Sequence, residues 1–239
     1  MKDKLLKKIL IPRSPLANKG NFGHALIYAG SDNFLGAAYL TCQSAIFGGA
    51  GYVDLCYDSP CFANSLPEVI YTKRENLKGI NLNRISSILF GNGLDYPNKW
   101  IQQDLDYLLL NYTKKLVVDA TGLKYLKNFL LKHNPNEICP QLILTPHIKE
   151  FCNLFDIGYI DSNVLNYEKY LNSILKIFSR CTIILKSYNT LIKDNKERFF
   201  IDKVNPGLAK AGSGDCYSGL LVSFLAYLNC PTIYSCYAS

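Results

Sequence analysis

Short apolar runs recur along this chain, each followed by a longer stretch with helical spacing, and this alternation constrains the fold more than any other feature. Ala25–Ala29 reads as a strand and Gly36–Phe47 as a helix rich in Ala, Leu and Ile. Strands are expected at Tyr52–Tyr57, Glu68–Tyr71 and Ser87–Phe90, and Asn98–Asn111 puts leucines and aromatics at helical intervals. The pattern continues with strand Leu116–Asp119, helix Gly122–Lys132, strand Leu142–Leu144 and helices Lys149–Phe155 and Ser162–Ser179. Strand Thr182–Lys186, a hairpin pair at Thr190–Lys193 and Arg198–Asp202, and helix Gly214–Leu228 close it. Such repetition predicts an α/β architecture with a largely parallel central sheet flanked by helices on both faces. No repeat or linker interrupts the chain, so one domain over residues 1–239 is expected.

Composition excludes several function classes. With 49% hydrophobic and 19% charged residues, the chain can bury a sizeable core and is neither a disordered tail nor a coiled coil. No stretch approaches the roughly 18 uninterrupted apolar residues of a membrane span. The net charge is +7, of which Lys2, Lys4, Lys7 and Lys8 less Asp3 supply three within the first eight residues. The remainder is too thin for a nucleic-acid footprint; it suits an anionic small-molecule ligand, and a solvated basic surface explains it more simply. Nine cysteines form no C-x-x-C, and the nearest pair, Cys56 and Cys61, has no histidine close enough for a zinc site. Met1–Leu10 carries charges without an apolar signal-peptide core, so the cysteines are read as reduced and the protein as cytoplasmic.

In open α/β sheets ligands gather at the carboxyl ends of strands, and the notable short motifs fall there. Ala211-Gly212-Ser213-Gly214-Asp215 immediately precedes a helix. Its glycines let consecutive amides converge, the helix N-terminus adds partial positive charge, and the turn can hold a phosphate. Asp215 is then placed to take a proton from an attacking hydroxyl. An ordinary helix start with an acidic first turn explains the same residues. Thr145-Pro146-His147 leaves a buried strand and enters a helix, where Thr145 is a natural N-cap and His147 a possible ligand contact. Gly20-Asn21-Phe22-Gly23-His24, Gly30-Ser31 and Gly36-Ala37-Ala38 suit either a close ligand or tight helix–sheet packing. Gly48-Gly49-Ala50-Gly51 reads as a helix stop. Gly91-Asn92-Gly93, Asp119-Ala120 and Lys186-Ser187-Tyr188-Asn189-Thr190 are weak singly but occur in order at strand ends. Neither a G-x-G-x-x-G fingerprint nor a P-loop is present.

The ordered set N-K-G-x-x-G-H, A-G-S, G-A-A, G-N-G-L, V-V-D-A, L-T-P-H-x-x-E-F, I-L-K, N-P-G-L-A and A-G-S-G-D resembles the NAD(P)H-hydrate dehydratases of the ribokinase-like superfamily. It runs from about Pro12 to the last residue. The resemblance implies a ribokinase-like three-layer sandwich and the ADP-dependent (S)-NAD(P)H-hydrate dehydratase activity of a carbon–oxygen lyase. The hydrate hydroxyl of NADHX or NADPHX would be phosphorylated by ADP or ATP and then lost as phosphate. Asp215 would be the base. Ala37, Gly93, His147 and Asp215 match the positions that line the hydrate. Lys186, Ser187, Tyr188, Asn189 and Thr190, with Gly212, Ser213 and Gly214, match those around the adenine nucleotide. The resemblance also implies Mg2+ on the nucleotide phosphates, with no dedicated ligand set legible, and a homo-oligomer, tetrameric in the family, with no nucleic-acid or membrane partner.

Four departures accompany it. Asn92 replaces the proline of the family's G-P-G turn, Ser187 the glycine after the lysine, and Asn18 the histidine that opens the first motif. The fourth is length, since only 24 residues follow Asp215 and the family's C-terminal helices would be cut short. Two other readings share the G-S-G-D turn: a ribokinase-like kinase that stops at a phosphorylated alcohol, and a protein that binds nucleotide without turnover.

Overall fold

A computed structural model describes residues 12–58, 66–228 and 230–239. Cys61, half of the cysteine pair noted above, and the basic run of the first eight residues lie outside them. Nine strands are described: β1 (His24–Tyr28), β2 (Tyr52–Tyr57), β3 (Ile70–Lys73), β4 (Ser87–Phe90), β5 (Lys115–Val118), β6 (Gln141–Leu144), β7 (Cys181–Lys186), β8 (Thr190–Lys193) and β9 (Arg198–Ile201). The helices are α1 (Leu35–Phe47), α2 (Lys99–Asn111), α3 (Thr121–Leu130), α4 (Ile148–Leu154), α5 (Glu168–Ile177), α6 (Ser213–Tyr227) and α7 (Thr232–Ala238).

All nine strands join one sheet in the order β3-β2-β1-β4-β5-β6-β7-β8-β9. Pairing is parallel from β3 to β7 and antiparallel for β7–β8 and β8–β9. From β1 the chain crosses outward to β2 and later returns to lay β4 on the other side, so the crevice between β1 and β4 is the point where winding reverses. At such a point the two flanking loops diverge to opposite faces and leave room for a ligand.

The strand pleat sorts the core into two layers, because neighbouring side chains point to opposite faces. Leu26, Tyr28, Ile88, Phe90, Leu116, Val118, Leu142 and Leu144 pack with α2–α5 on one face. Ala25, Ile27, Leu89, Val117, Ile143 and Ile184 pack with α1, α6 and α7 on the other. At roughly 1.5–3 kcal/mol for each fully buried large aliphatic side chain, these layers dominate the stability of the sheet. Small residues bring α1 and α6 close together: a Cβ on Gly219 would sit 2.2 Å from the Thr41 carbonyl oxygen. The face they form is bolted to the strands by polar bonds, Ser87 Oγ to the Val222 carbonyl at 2.7 Å and Lys115 Nζ to the Leu225 carbonyl at 3.1 Å.

Three sequence expectations need correction. The third strand begins at Ile70, because Leu66–Val69 closes a turn whose Leu66 amide bonds the Tyr71 hydroxyl. The helix expected over Ser162–Ser179 is split into a 3-10 turn, Val164–Tyr167, and α5. The Asn163 side chain caps that turn, and the Tyr167 hydroxyl holds the amides of Ile160 and Asp161. Finally, Thr145 does not cap the next helix. It is fully buried, and His147 is the N-cap of α4, its Nδ1 accepting from the Glu150 amide while the Glu150 carboxylate accepts from the His147 amide.

Candidate active site

The A-G-S-G-D turn becomes the first turn of α6. Gly212, the N-cap, has φ +87°, a left-handed conformation open to glycine and strained for other residues. No side chain caps this helix, so its leading amides are without side-chain acceptors. A Cβ on Gly212 would lie 2.5 Å from Leu40 Cδ1, which fixes the helix start against α1. An uncapped helix start with a left-handed glycine is a concave donor surface suited to phosphate oxygens.

Asp215, in that first turn, does not serve its own helix. Its Oδ1 accepts from Asn92 Nδ2 at 2.8 Å, across the turn that follows β4. Asn92 is buried, and its Nδ2 also lies 3.5 Å from Asp119 Oδ2. Asp119 follows β5 and is itself buried. It is held by the Lys186 ammonium at 3.1 Å, by the Ala120 amide at 2.9 Å and by the Ser218 hydroxyl. Elements β4, β5, β7 and α6 thus converge on two carboxylates bridged by one amide and balanced by one lysine.

The two carboxylates titrate apart. Burial alone would raise Asp119, but Lys186 and the Ser218 hydroxyl outweigh it and hold the carboxyl below the ordinary range. Burial pushes Asp215 above that range; the Asn92 amide opposes the rise, the Asp119 charge adds to it, and Lys186 counters. One acid is locked as an anion, and the other is the better proton acceptor.

The turn after β4 is shaped by close approaches. Gly91 has φ +135°, and a Cβ there would meet the Asp119 carbonyl oxygen at 2.0 Å. A Cβ on Gly93 would sit 2.6 Å from the Ala37 Cβ, so two residues matched to the hydrate are neighbours across the β1/β4 crevice. The Gly30 amide donates to the Asn92 carbonyl at 2.7 Å, closing the same crevice from β1. Ala120 adopts φ +48° beside Asp119, a strained non-glycine conformation of the kind that collects at functional sites.

A family model described as NAD(P)H-hydrate dehydratase matches residues 25–239. The chain belongs to the NAD(P)H-hydrate dehydratase family. An ADP-dependent (S)-NAD(P)H-hydrate dehydratase from Streptococcus thermophilus is 28% identical over 233 residues, covering 94% of this chain and 81% of that one. A ribokinase-like superfamily protein from Enterococcus faecalis superposes with a TM-score of 0.85 at 24% identity, over all of this chain and 83% of its own. An ADP/ATP-dependent NAD(P)H-hydrate dehydratase from Bacillus subtilis, co-crystallised with ATP/Mg2+, gives 0.78 at 24% identity, over all of this chain and 84% of its own. These structural likenesses establish the ribokinase-like fold.

Against this dehydratase frame the expected residues divide. Asp215, Gly93, Ala37, Gly212, Ser213 and Gly214 lie around the crevice and the α6 start. Lys186 joins them, with its ammonium turned to Asp119. His147 is adjacent through its bridge to Lys186, its side chain 54% exposed. In the β7–β8 turn the Ser187 amide bonds the Asn189 carbonyl, Tyr188 is exposed, and Asn189 is tied to Val164 and Asn163. Thr190 begins β8. The N-K-G-x-x-G-H motif sits at the opposite, amino end of β1. There a Cβ on Gly23 would meet the Ala226 carbonyl oxygen at 2.3 Å, and His24 Nε2 lies 2.9 Å from Asp54. Gly23 serves packing there. Asp119, which the sequence offers only as a weak strand-end signal without a role, and Ser218, which no motif marks, join the site through these contacts.

Proposed function

We propose that this chain dehydrates NAD(P)H hydrate to NAD(P)H in a nucleotide-dependent reaction, with ADP or ATP as phosphoryl donor. The observation that carries the reading is Asp215 standing beside an uncapped helix start, its carboxylate raised above the usual range and held by Asn92. The hydrate hydroxyl attacks the terminal phosphorus of the nucleotide, and its proton passes to Asp215. The bond between that phosphorus and the bridging oxygen breaks, while the amides at the start of α6 receive the developing charge. Phosphate then leaves the ring carbon, pushed by the ring nitrogen's lone pair; the neighbouring carbon loses a proton and the double bond returns. Phosphate is a far better leaving group than hydroxide, so nucleotide cleavage serves activation.

Magnesium belongs to this reading as an ion on the nucleotide phosphates. Among the described residues no group of three His, Cys, Asp or Glu side chains is gathered around a metal position. The hydrate would lie over Ala37, Gly93 and His147, and the nucleotide between the α6 start and the β7–β8 turn. A single domain, a cytoplasmic homo-tetramer and the absence of a membrane partner complete the proposal. No described helix is long and apolar enough to cross a membrane, and all nine described strands share one sheet.

The test is recovery of reduced-nicotinamide absorbance from hydrated NADH with magnesium and either ADP or ATP. Recovery that needs nucleotide and vanishes in Asp215→Asn is the expected result. Accumulation of a stable phosphorylated alcohol would instead identify a kinase.

A further inference from the structure

The turn residue Asn92, where the resemblance leads one to expect proline, carries a polar atom that the fold leaves unsatisfied. It is 1% exposed, yet its Oδ1 is buried without a hydrogen-bond partner. A buried orphan acceptor needs a reason. Here the reason is the other end of the amide: Nδ2 lies 2.8 Å from Asp215 Oδ1 and 3.5 Å from Asp119 Oδ2. Turning the amide over would place its oxygen against two carboxylates, so the orientation is set by them and the orphan oxygen follows. A proline would leave both carboxylates without this donor.

We propose that Asn92 is a positioning residue, whose side-chain amide holds the Asp215 carboxylate in its ionised form and in one direction beside the α6 start. The proposal deepens the dehydratase reading and rests on it for the identity of the reaction. The charged groups acting on Asp215 are Asp119, at the end of β5, and Lys186, at the end of β7; the first disfavours the carboxylate and the second favours it. Asn92 adds a neutral donor that favours the anion without adding charge. A hydrogen bond to the charged form lowers a carboxyl pKa, and its loss raises it.

The experiment titrates the full chain carrying 13C-labelled aspartate, following the Asp215 carboxyl signal, which is assigned by its disappearance in Asp215→Asn. Asn92→Ala and Asn92→Pro are compared with the parent, the proline variant being the one for which the family turn is suited. The expected result is an Asp215 midpoint raised by about one pH unit in both variants. The acid limb of kcat/KM for hydrated NADH should move upward by the same amount, while nucleotide KM holds. An unmoved midpoint in a folded variant overturns the proposal, since a turn residue with only a packing role changes melting temperature and leaves this titration alone. If the parent protein shows no turnover, the dehydratase reading fails while the carboxyl titration still decides what Asn92 does.

Discussion

At the scale of single residues, the Lys186–Asp119 pair is the site's least replaceable contact. Asp119 is almost entirely enclosed, and Lys186 supplies the only positive charge among its described partners. Removing one member of a buried pair leaves an uncompensated charge, which costs more than losing both. Lys186→Met is therefore expected to lower unfolding stability by about 3 kcal/mol, and the double variant with Asp119→Asn to recover most of that loss. Denaturant titration of the two variants measures it, and a double variant no more stable than the single one would rule out the pairing argument. A second prediction concerns Asp215. Its raised pKa means that the carboxylate is less favourable in the folded state than in the unfolded chain, so Asp215→Asn should melt at a higher temperature at neutral pH even as turnover is lost. These contacts were hard to read from the chain because they join Asn92, Asp119, Lys186 and Asp215 across long separations. Each residue alone looks like a turn, a helix start or a strand end, and only the sheet brings their side chains together. Asp215 itself was legible because its glycines and its helix are adjacent in sequence.

Elements are where sequence and structure agree best. The central parallel strands are buried on both faces, so each appears as a nearly unbroken apolar run; β2 and β4, and the antiparallel β8, begin and end where the runs do. Agreement weakens where polar side chains decide: Asn163 and Tyr167 break the expected long helix, and His147 takes the cap that Thr145 was expected to supply. Helix α7, beyond the last helix expected from the sequence, packs under β7 and β8 from Thr232 onward. The start of α6 offers a test at this scale. Gly212→Ala forces a Cβ into a left-handed conformation 2.5 Å from Leu40 Cδ1. Strain of about 1–2 kcal/mol is expected from the backbone alone, together with a weaker nucleotide interaction as the amides turn away. Thermal melting with and without ADP separates the two: the variant should melt lower and gain less from added nucleotide. An undiminished ligand-induced shift would remove the helix start from the nucleotide site.

For the whole molecule, acid should switch off chemistry before it loosens the fold. Asp119 has a depressed pKa, so its stabilising contribution is present above the unfolded-state value and fades only as pH falls through the lower folded value. Asp215 has a raised pKa and loses its basic form at higher pH. The rate should therefore decline at a pH above the ordinary aspartate range, while the Asp119 contribution to melting temperature persists to below that range. Coincident loss of rate and structure would contradict this separation. The same molecule-wide view bears on how the protein is made. Helix α6 follows every strand in chain order, yet it roofs the middle of the sheet and carries the proposed base. A ribosome emitting about 5–20 residues per second exposes the strands before that roof arrives. In that interval Ile27, Leu89, Val117 and Ile143 line a face that, among the described helices, α1 alone has reached, an adhesive surface in a crowded cell. The nascent chain is thus both catalytically mute and most prone to aggregate until the same helix docks, so a single late event delivers solubility and activity together.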